Sequence, residues 1–113
     1  MSKRSIGDDK ETLSVNFLSN NNVKIIDRNF NTRHGEIDII GIDGDYLVFF
    51  EVKYRANLNY GYPLEAVTKN KIRNIRNAAR VYLYHKHLPE TTAVRFNCIS
   101  ILGSDIQWIK SAF

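Results

Sequence analysis

Gly35-Glu36-Ile37-Asp38-Ile39-Ile40-Gly41-Ile42-Asp43-Gly44-Asp45-Tyr46-Leu47-Val48-Phe49-Phe50-Glu51-Val52-Lys53 decides how this chain folds. Residues 37–42 form one apolar run. Residues 46–52 form a second, richer in aromatic and branched side chains, with Asp43-Gly44-Asp45 between the two. Such runs around an Asp-Gly turn predict a β-hairpin. Asp38, Glu51 and Lys53 interrupt the apolar strands. An unpaired charge is costly to bury, so each needs a reason to be there.

Side chains alternate faces along a strand, so Glu51 and Lys53 share one face, roughly 6.6 Å apart along it. Asp38, on the partner strand, faces them in the right register. Two carboxylates and an ammonium then converge. Mg²⁺ is commonly held by one or two carboxylates together with waters and substrate phosphate. A lysine beside such a metal can orient or help deprotonate an attacking water, or stabilise developing negative charge. Any one of these charges, taken alone, reads as a surface ion pair on a solvated sheet face. All three together, in strands this apolar, favour a site.

Asp38, twelve intervening residues and then Glu51-Val52-Lys53 resemble the bipartite Asp…Glu-X-Lys signature of the PD-(D/E)XK nuclease superfamily. The wider pattern is similar to the YraN-like family of small bacterial predicted nucleases, which are similar in turn to archaeal Holliday-junction resolvases. It consists of Gly35-Glu36-Ile37-Asp38, Phe50-Glu51-Val52-Lys53, Glu65-Ala66-Val67, Lys71, Ala78-Ala79 and the ending Trp108-Ile109-Lys110-Ser111-Ala112-Phe113, and it covers nearly the whole chain. The resemblance implies a restriction-endonuclease-like core and a Mg²⁺ or Mn²⁺ site on Asp38 and Glu51. It implies that Lys53 assists the nucleophilic water and that Glu11 is an auxiliary metal ligand. In relatives the Phe96-Asn97 pair is usually Phe-Asp, so Asn97 is a departure: either that acid is not essential or this site is weakened. Resolvase-like enzymes make two symmetric nicks, which implies a homodimer by analogy.

The chain has 113 residues, expected to be one domain over 1–113 with a core that needs no staples. Its 43% hydrophobic and 25% charged content is ordinary for a soluble protein. No window approaches a membrane span and the N-terminus has no apolar signal core, so no membrane partner is expected. Cys98, the one cysteine, cannot form an internal disulfide, which fits a reducing cytoplasm. One Cys and three scattered His argue against a zinc centre. The net charge is +4 but unevenly spread: residues 1–45 carry six Lys/Arg against eight Asp/Glu, and residues 46–113 carry ten against four. Acidic metal-type residues thus adjoin a basic half, an arrangement suited to a polyanion bridged to metal.

In chain order, residues 1–4 read as a frayed basic start and residues 6–20 as a helix with Ile6, Leu13 and Phe17 on one face. Glu11 shares a row with Val15 and Leu18, so it either points inward or stays solvated. Asn20-Asn21-Asn22 ends the helix, since asparagine tolerates the left-handed conformation. Residues 23–30 are a strand, Asn31-Thr32 a turn, and Arg33 and His34 stand before the hairpin where either can touch phosphate. Glu36 has the same parity as Asp38 and is an auxiliary carboxylate or an ordinary edge residue. The loop 54–63 carries Arg55 and tyrosines that meet phosphate or an unstacked base, or that cover core. Residues 64–86 read as one long helix entered through Pro63. Lys69, Arg73, Arg76 and Arg80 recur at i, i+4, i+7 and i+11, within about 60° of arc, a basic ridge for nucleic acid or solvent. Lys71 falls among the apolar positions, which together with the resemblance turns it toward the site and phosphate. Residues 92–102 and 105–109 are the last strands, and Phe113 packs back on the body.

The order is αβββαββ, an α/β fold with a mixed central sheet. The expected function is metal-dependent hydrolysis of DNA phosphodiesters, branched DNA included. The alternative is a catalytically inactive nucleic-acid-binding or partner-binding module on a degenerate nuclease fold, and RNA is not separated from DNA as substrate.

Overall fold

The computed structural model describes the backbone of residues 3–113 and the side chains from Asp9 onward, apart from that of Tyr60. The basic start expected at residues 1–4 begins outside the described residues, and the side chains of Ile6 and Tyr60 also lie outside them.

Helix α1 spans Lys3–Asn20. It stops where Asn22 takes a left-handed φ of 67°, with the Asn22 N–H on the Ser19 carbonyl and the Val23 N–H on the Leu18 carbonyl. This is the doubly bonded helix end that asparagine permits, and Val23 and Leu18 pack in the same core cluster beside it. Of the face expected to be buried, Phe17 packs against the core as expected, but Leu13 is 43% exposed. The inward row is Glu11, Ser14 and Leu18, flanked by Val15. Two positions with polar atoms win the interior because Ser14 returns its hydroxyl to the Lys10 carbonyl at 2.8 Å and Glu11 finds Arg28 at 3.3 Å.

Strands β1 (Lys24–Thr32), β2 (Gly35–Asp43) and β3 (Tyr46–Arg55) form an antiparallel meander. Asn31-Thr32 continues β1, and the turn falls at Arg33–His34 instead. The Thr32 hydroxyl closes that turn, accepting the His34 N–H and donating to the Gly35 carbonyl, both at 3.0 Å. The β2–β3 hairpin closes on Asp43 paired with Tyr46. Gly44 has φ 59° at the first central position, the residue and sign that a primed hairpin turn selects.

Two short 3₁₀ turns, Leu58–Tyr60 and Pro63–Ala66, lead to helix α2, Lys69–His85. The long helix expected over 64–86 is therefore broken. Thr68 is extended and its hydroxyl accepts the Lys71 N–H, making it the N-cap of α2. A β-branched hydroxyl residue serves a helix better at its cap than in its interior. Strand β4 (Val94–Leu102) then pairs parallel to β3, and β5 (Asp105–Ile109) pairs antiparallel to β4. The parallel pair needs a crossover, which α2 supplies.

The sheet order is β1-β2-β3-β4-β5, with a helix on each face. Leu47, Phe49, Ile75, Ala78 and Tyr82 pack on the α2 side. Leu18, Val48, Phe50, Ile99 and Ile101 pack on the α1 side. Burying each such large apolar side chain contributes about 1.5–3 kcal/mol. Phe113 returns against Phe96, ring centroids 6.1 Å apart. The order αβββαββ on a five-stranded mixed sheet is that of the restriction-endonuclease-like core. Among the described residues no helix is long and apolar enough to cross a membrane.

Candidate active site

Leu47 and Phe49 face α2, so alternation puts Glu51, Lys53 and Arg55 on that same face of β3. Ile39 pairs with Phe50 and is the last printed partner of the β2–β3 ladder. Beyond it Asp38 lies close enough to Glu51 for their charges to interact. There the ladder gives way to a side chain: the Val52 N–H donates to Asp38 Oδ2 at 2.8 Å. One oxygen of Asp38 is thereby fixed while its other oxygen carries no hydrogen bond from the described residues. Lys53 Nζ meets Glu51 Oε1 at 3.1 Å.

The electrostatics follow from burial. Desolvation pushes the Asp38 carboxyl up to about 8; the Glu51 carboxylate adds to the shift, the Val52 N–H opposes it, and Glu11 contributes further upward. Burial works to lower the Lys53 ammonium, but the Glu51 carboxylate and hydrogen bonds to Lys71 and Glu51 outweigh it, so its net shift is upward. Lys71 moves the other way, lowered first by its hydrogen bond with Lys53 and then by that amine's charge. Cys98 pairs with Glu51 across the β3–β4 ladder, and its thiol is pushed up to about 12 by burial and then by Glu51. A neutral thiol there is floor, not nucleophile.

Helix α2 begins over this point, which is how Lys71, in its first turn, reaches Lys53. A cleft of about 170 Å³ opens here, lined by His34, Gly35, Glu36, Glu51, Lys71, Asn74 and Ile75. Gly35 has φ 140°, and a Cβ on it would sit 3.7 Å from that of Asn74; glycine supplies the backbone that turns β2 into the cleft. Asn74 was not singled out from the sequence. Its position one turn beyond Lys71, at i+3, is the signal that would have found it.

Glu11 is only 7% exposed. It lies on α1, held by Arg28; burial raises its carboxyl and Arg28 opposes that. Its charge is felt at Asp38, yet among the described residues no group of three or more His, Cys, Asp or Glu side chains is gathered closely enough to hold a metal. The basic residues divide three ways. Arg55 continues the site row, its Nε buried with no hydrogen-bond partner among the described residues, and Lys71 lines the cleft. Arg33 and Arg80 line a neighbouring groove. Lys69, Arg73 and Arg76 are exposed on α2, where Arg73 bonds Asn70 at 2.9 Å and Arg76 lies 4.5 Å over the Phe96 ring. Tyr62, in the preceding loop, is 57% exposed and covers no core.

Asn97 lies next to Cys98, and strand alternation turns it to the opposite face from Cys98 and Phe96. Its Oδ1 accepts the Ser111 N–H at 2.9 Å and Arg95 Nε at 3.3 Å, which ties the C-terminal segment down. Its Nδ2 is buried and has no partner among the described residues. An aspartate here would serve the same two donors without an orphaned one. Asn97→Asp is therefore expected to act on the tail and not on the cleft: amide exchange at Ser111 should change while exchange at Val52 stays as in wild type, and a change confined to Val52 would contradict this placement.

Residues 10–101 match the uncharacterised protein family UPF0102. The chain is 46% identical over 113 residues to a UPF0102 protein of Lachnoclostridium phytofermentans, covering 100% of this chain and 96% of that protein. It is 40% identical over 111 residues to a UPF0102 protein of Fusobacterium nucleatum, covering 98% and 92%. It is 40% identical over 113 residues to one of Vibrio parahaemolyticus, covering 98% and 93%.

Proposed function

This chain belongs to the UPF0102 family, and from that premise and the geometry of its cleft we propose that it is a cytoplasmic, Mg²⁺- or Mn²⁺-dependent endonuclease acting on DNA, branched DNA included. What supports the reading is the closeness of three charged groups: Asp38 accepts the Val52 N–H between Glu51 and Lys53, Lys53 pairs with Glu51, and Lys71 lines the cleft beside Glu51.

The donor set suits a hard divalent cation. Asp38 is buried and feels the Glu51 charge, and that burial and repulsion are what a cation would relieve. Mg²⁺ is held by one or two carboxylates and completes its shell with water and substrate oxygens, so a side-chain cage of three is not required. Asp38 and Glu51 would hold the ion. The chemistry such an ion supplies when bound is water activation and neutralisation of charge on the phosphate under attack.

The chain's own groups do the rest. The Val52 N–H fixes one Asp38 oxygen, so the carboxylate is aimed before substrate arrives. Lys53 is fixed by Glu51 and directs an ammonium at the reacting phosphate, where it orients the attacking water or stabilises developing charge. Lys71, its charged form disfavoured by the Lys53 ammonium, stands at the mouth of the cleft, where its amine can donate to a non-bridging oxygen. Arg55, on the same face as Lys53, is a further arginine suited by its fork of donors to a phosphate.

The test is a cleavage panel of duplex, single-stranded, flap and four-way-junction DNA with Mg²⁺, Mn²⁺ or EDTA. Strand scission with either metal and none in EDTA is expected, with branched substrates cut faster than blunt duplex. No metal-dependent cleavage on any substrate would sink the proposal; if binding persists, the chain is a binding module on a nuclease fold.

A further inference from the structure

A second surface adjoins the cleft. Between the Arg33–His34 turn and the last turns of α2 lies an open groove of about 1040 Å³, above the roughly 300–1,000 Å³ of small-molecule pockets. Phe30 contributes from β1, Arg33 and His34 from the turn, and Arg80, Tyr84 and Lys86 from the helix end. None of the described residues lining it is acidic. Lys86 shares its charge with Asp27 at 3.9 Å, so Arg33 and Arg80 carry most of the field. His34 lines both groove and cleft, so the two are neighbours.

Tyr84 sets the occupant. It is 81% exposed, and the neighbouring His85 ring meets it at an interplanar angle of 81° with centroids 6.1 Å apart. Nothing in the fold uses this ring as core. Arg80 beside it is aimed, its Nη1 held by Asn77 Oδ1 at 2.9 Å. A positive groove with an exposed aromatic ring is the combination that binds an unpaired strand, with backbone tracked by cations and bases stacked on rings. A blunt duplex keeps its base faces buried in the stack and gives Tyr84 nothing to meet.

We propose that this groove binds an unpaired DNA strand and leads it to the cleft, with Arg33 and Arg80 on backbone phosphates and Tyr84 stacked on a base. The strand's destination rests on the endonuclease reading; its binding does not. The test uses the full chain in Ca²⁺ and measures anisotropy of labelled oligothymidine and of blunt duplex. Tyr84→Ala is expected to weaken oligothymidine binding about tenfold and to leave duplex binding unchanged, with Tyr84→Phe close to wild type. Arg33→Gln with Arg80→Gln should shrink the logarithmic salt slope for oligothymidine by about 1.4, at roughly 0.7 per phosphate contact on a single strand. The proposal is overturned if wild type fails to bind oligothymidine, if Tyr84→Ala changes nothing, or if it weakens both DNAs alike. Binding lost on Tyr84→Ala with no metal-dependent cleavage by wild type keeps the groove and removes the endonuclease. Cleavage with unaltered oligothymidine binding does the reverse.

Discussion

Glu51→Gln is expected to reduce the proposed metal-dependent cleavage by roughly a thousandfold or more, and Lys53→Ala by a similar factor. The two losses have different causes. Glu51 is buried, and on the proposed reading its loss leaves one carboxylate for a divalent ion. Lys53 is not a proposed metal ligand; its removal would take away the ammonium at the phosphate. Metal binding therefore separates them. Added Mg²⁺ should raise the Tm of Lys53→Ala, as ligand binding to the folded state requires, and should do little for Glu51→Gln. Lys53→Arg should not restore the rate, because a planar guanidinium on a longer stem does not replace a compact ammonium held at 3.1 Å from Glu51. A Glu51→Gln enzyme that cuts at the wild-type rate with an unaltered circular dichroism spectrum would remove Asp38 and Glu51 from the chemistry.

The second large effect is on stability, measured with EDTA present. Asp38 rises from 3.8 to about 8 on folding. Between those values the folded protein keeps a proton that the unfolded chain has released, so stability falls as pH rises. It is greatest below about pH 4, declines across about pH 4–8 and is flat above. Glu11 is also raised by burial and acts in the same direction. At about 1.4 kcal/mol per unit, a rise of that size sets an upper bound of about 6 kcal/mol, which is roughly 20 °C in Tm for a domain of this size. Asp38→Asn removes the titration while its amide oxygen still accepts the Val52 N–H. Its Tm at pH 8 should exceed that of wild type, its pH dependence across this range should flatten, and Mg²⁺ should no longer stabilise it. Metal-free wild type with a Tm unchanged from pH 4 to pH 8 would rule out the buried, repelling pair.

A buried carboxyl beside a second carboxylate is a cost in an otherwise apolar sheet, and it falls where the Asp…Glu-X-Lys residues lie. Binding sites often hold destabilised arrangements within a scaffold that is stable elsewhere. Here the two core clusters, one under each helix, hold β2 and β3 in place while the charged row stands between them and the start of α2.

The local sequence alone determined the hairpin, its Asp-Gly turn and the shared face of Glu51 and Lys53, because strand alternation and turn chemistry act over a few residues. The Asn20-Asn21-Asn22 stop was equally legible, since a left-handed φ is a local demand. What lies inside α1 was not, because hydrophobicity favoured Leu13 while Arg28, seventeen residues beyond Glu11, supplied the partner that let an acid be buried instead. The break before α2 turned on whether Thr68 sat inside a helix or capped one, and only the packing of Ile75, Ala78 and Tyr82 on the sheet fixed that frame. The approach of Asp38 to Val52, the contact of Lys71 with Lys53 and the entry of Asn74 into the cleft were decided by the tertiary structure. Each depends on the register between strands, or on where a helix lands on the sheet, and those are set by the whole core at once.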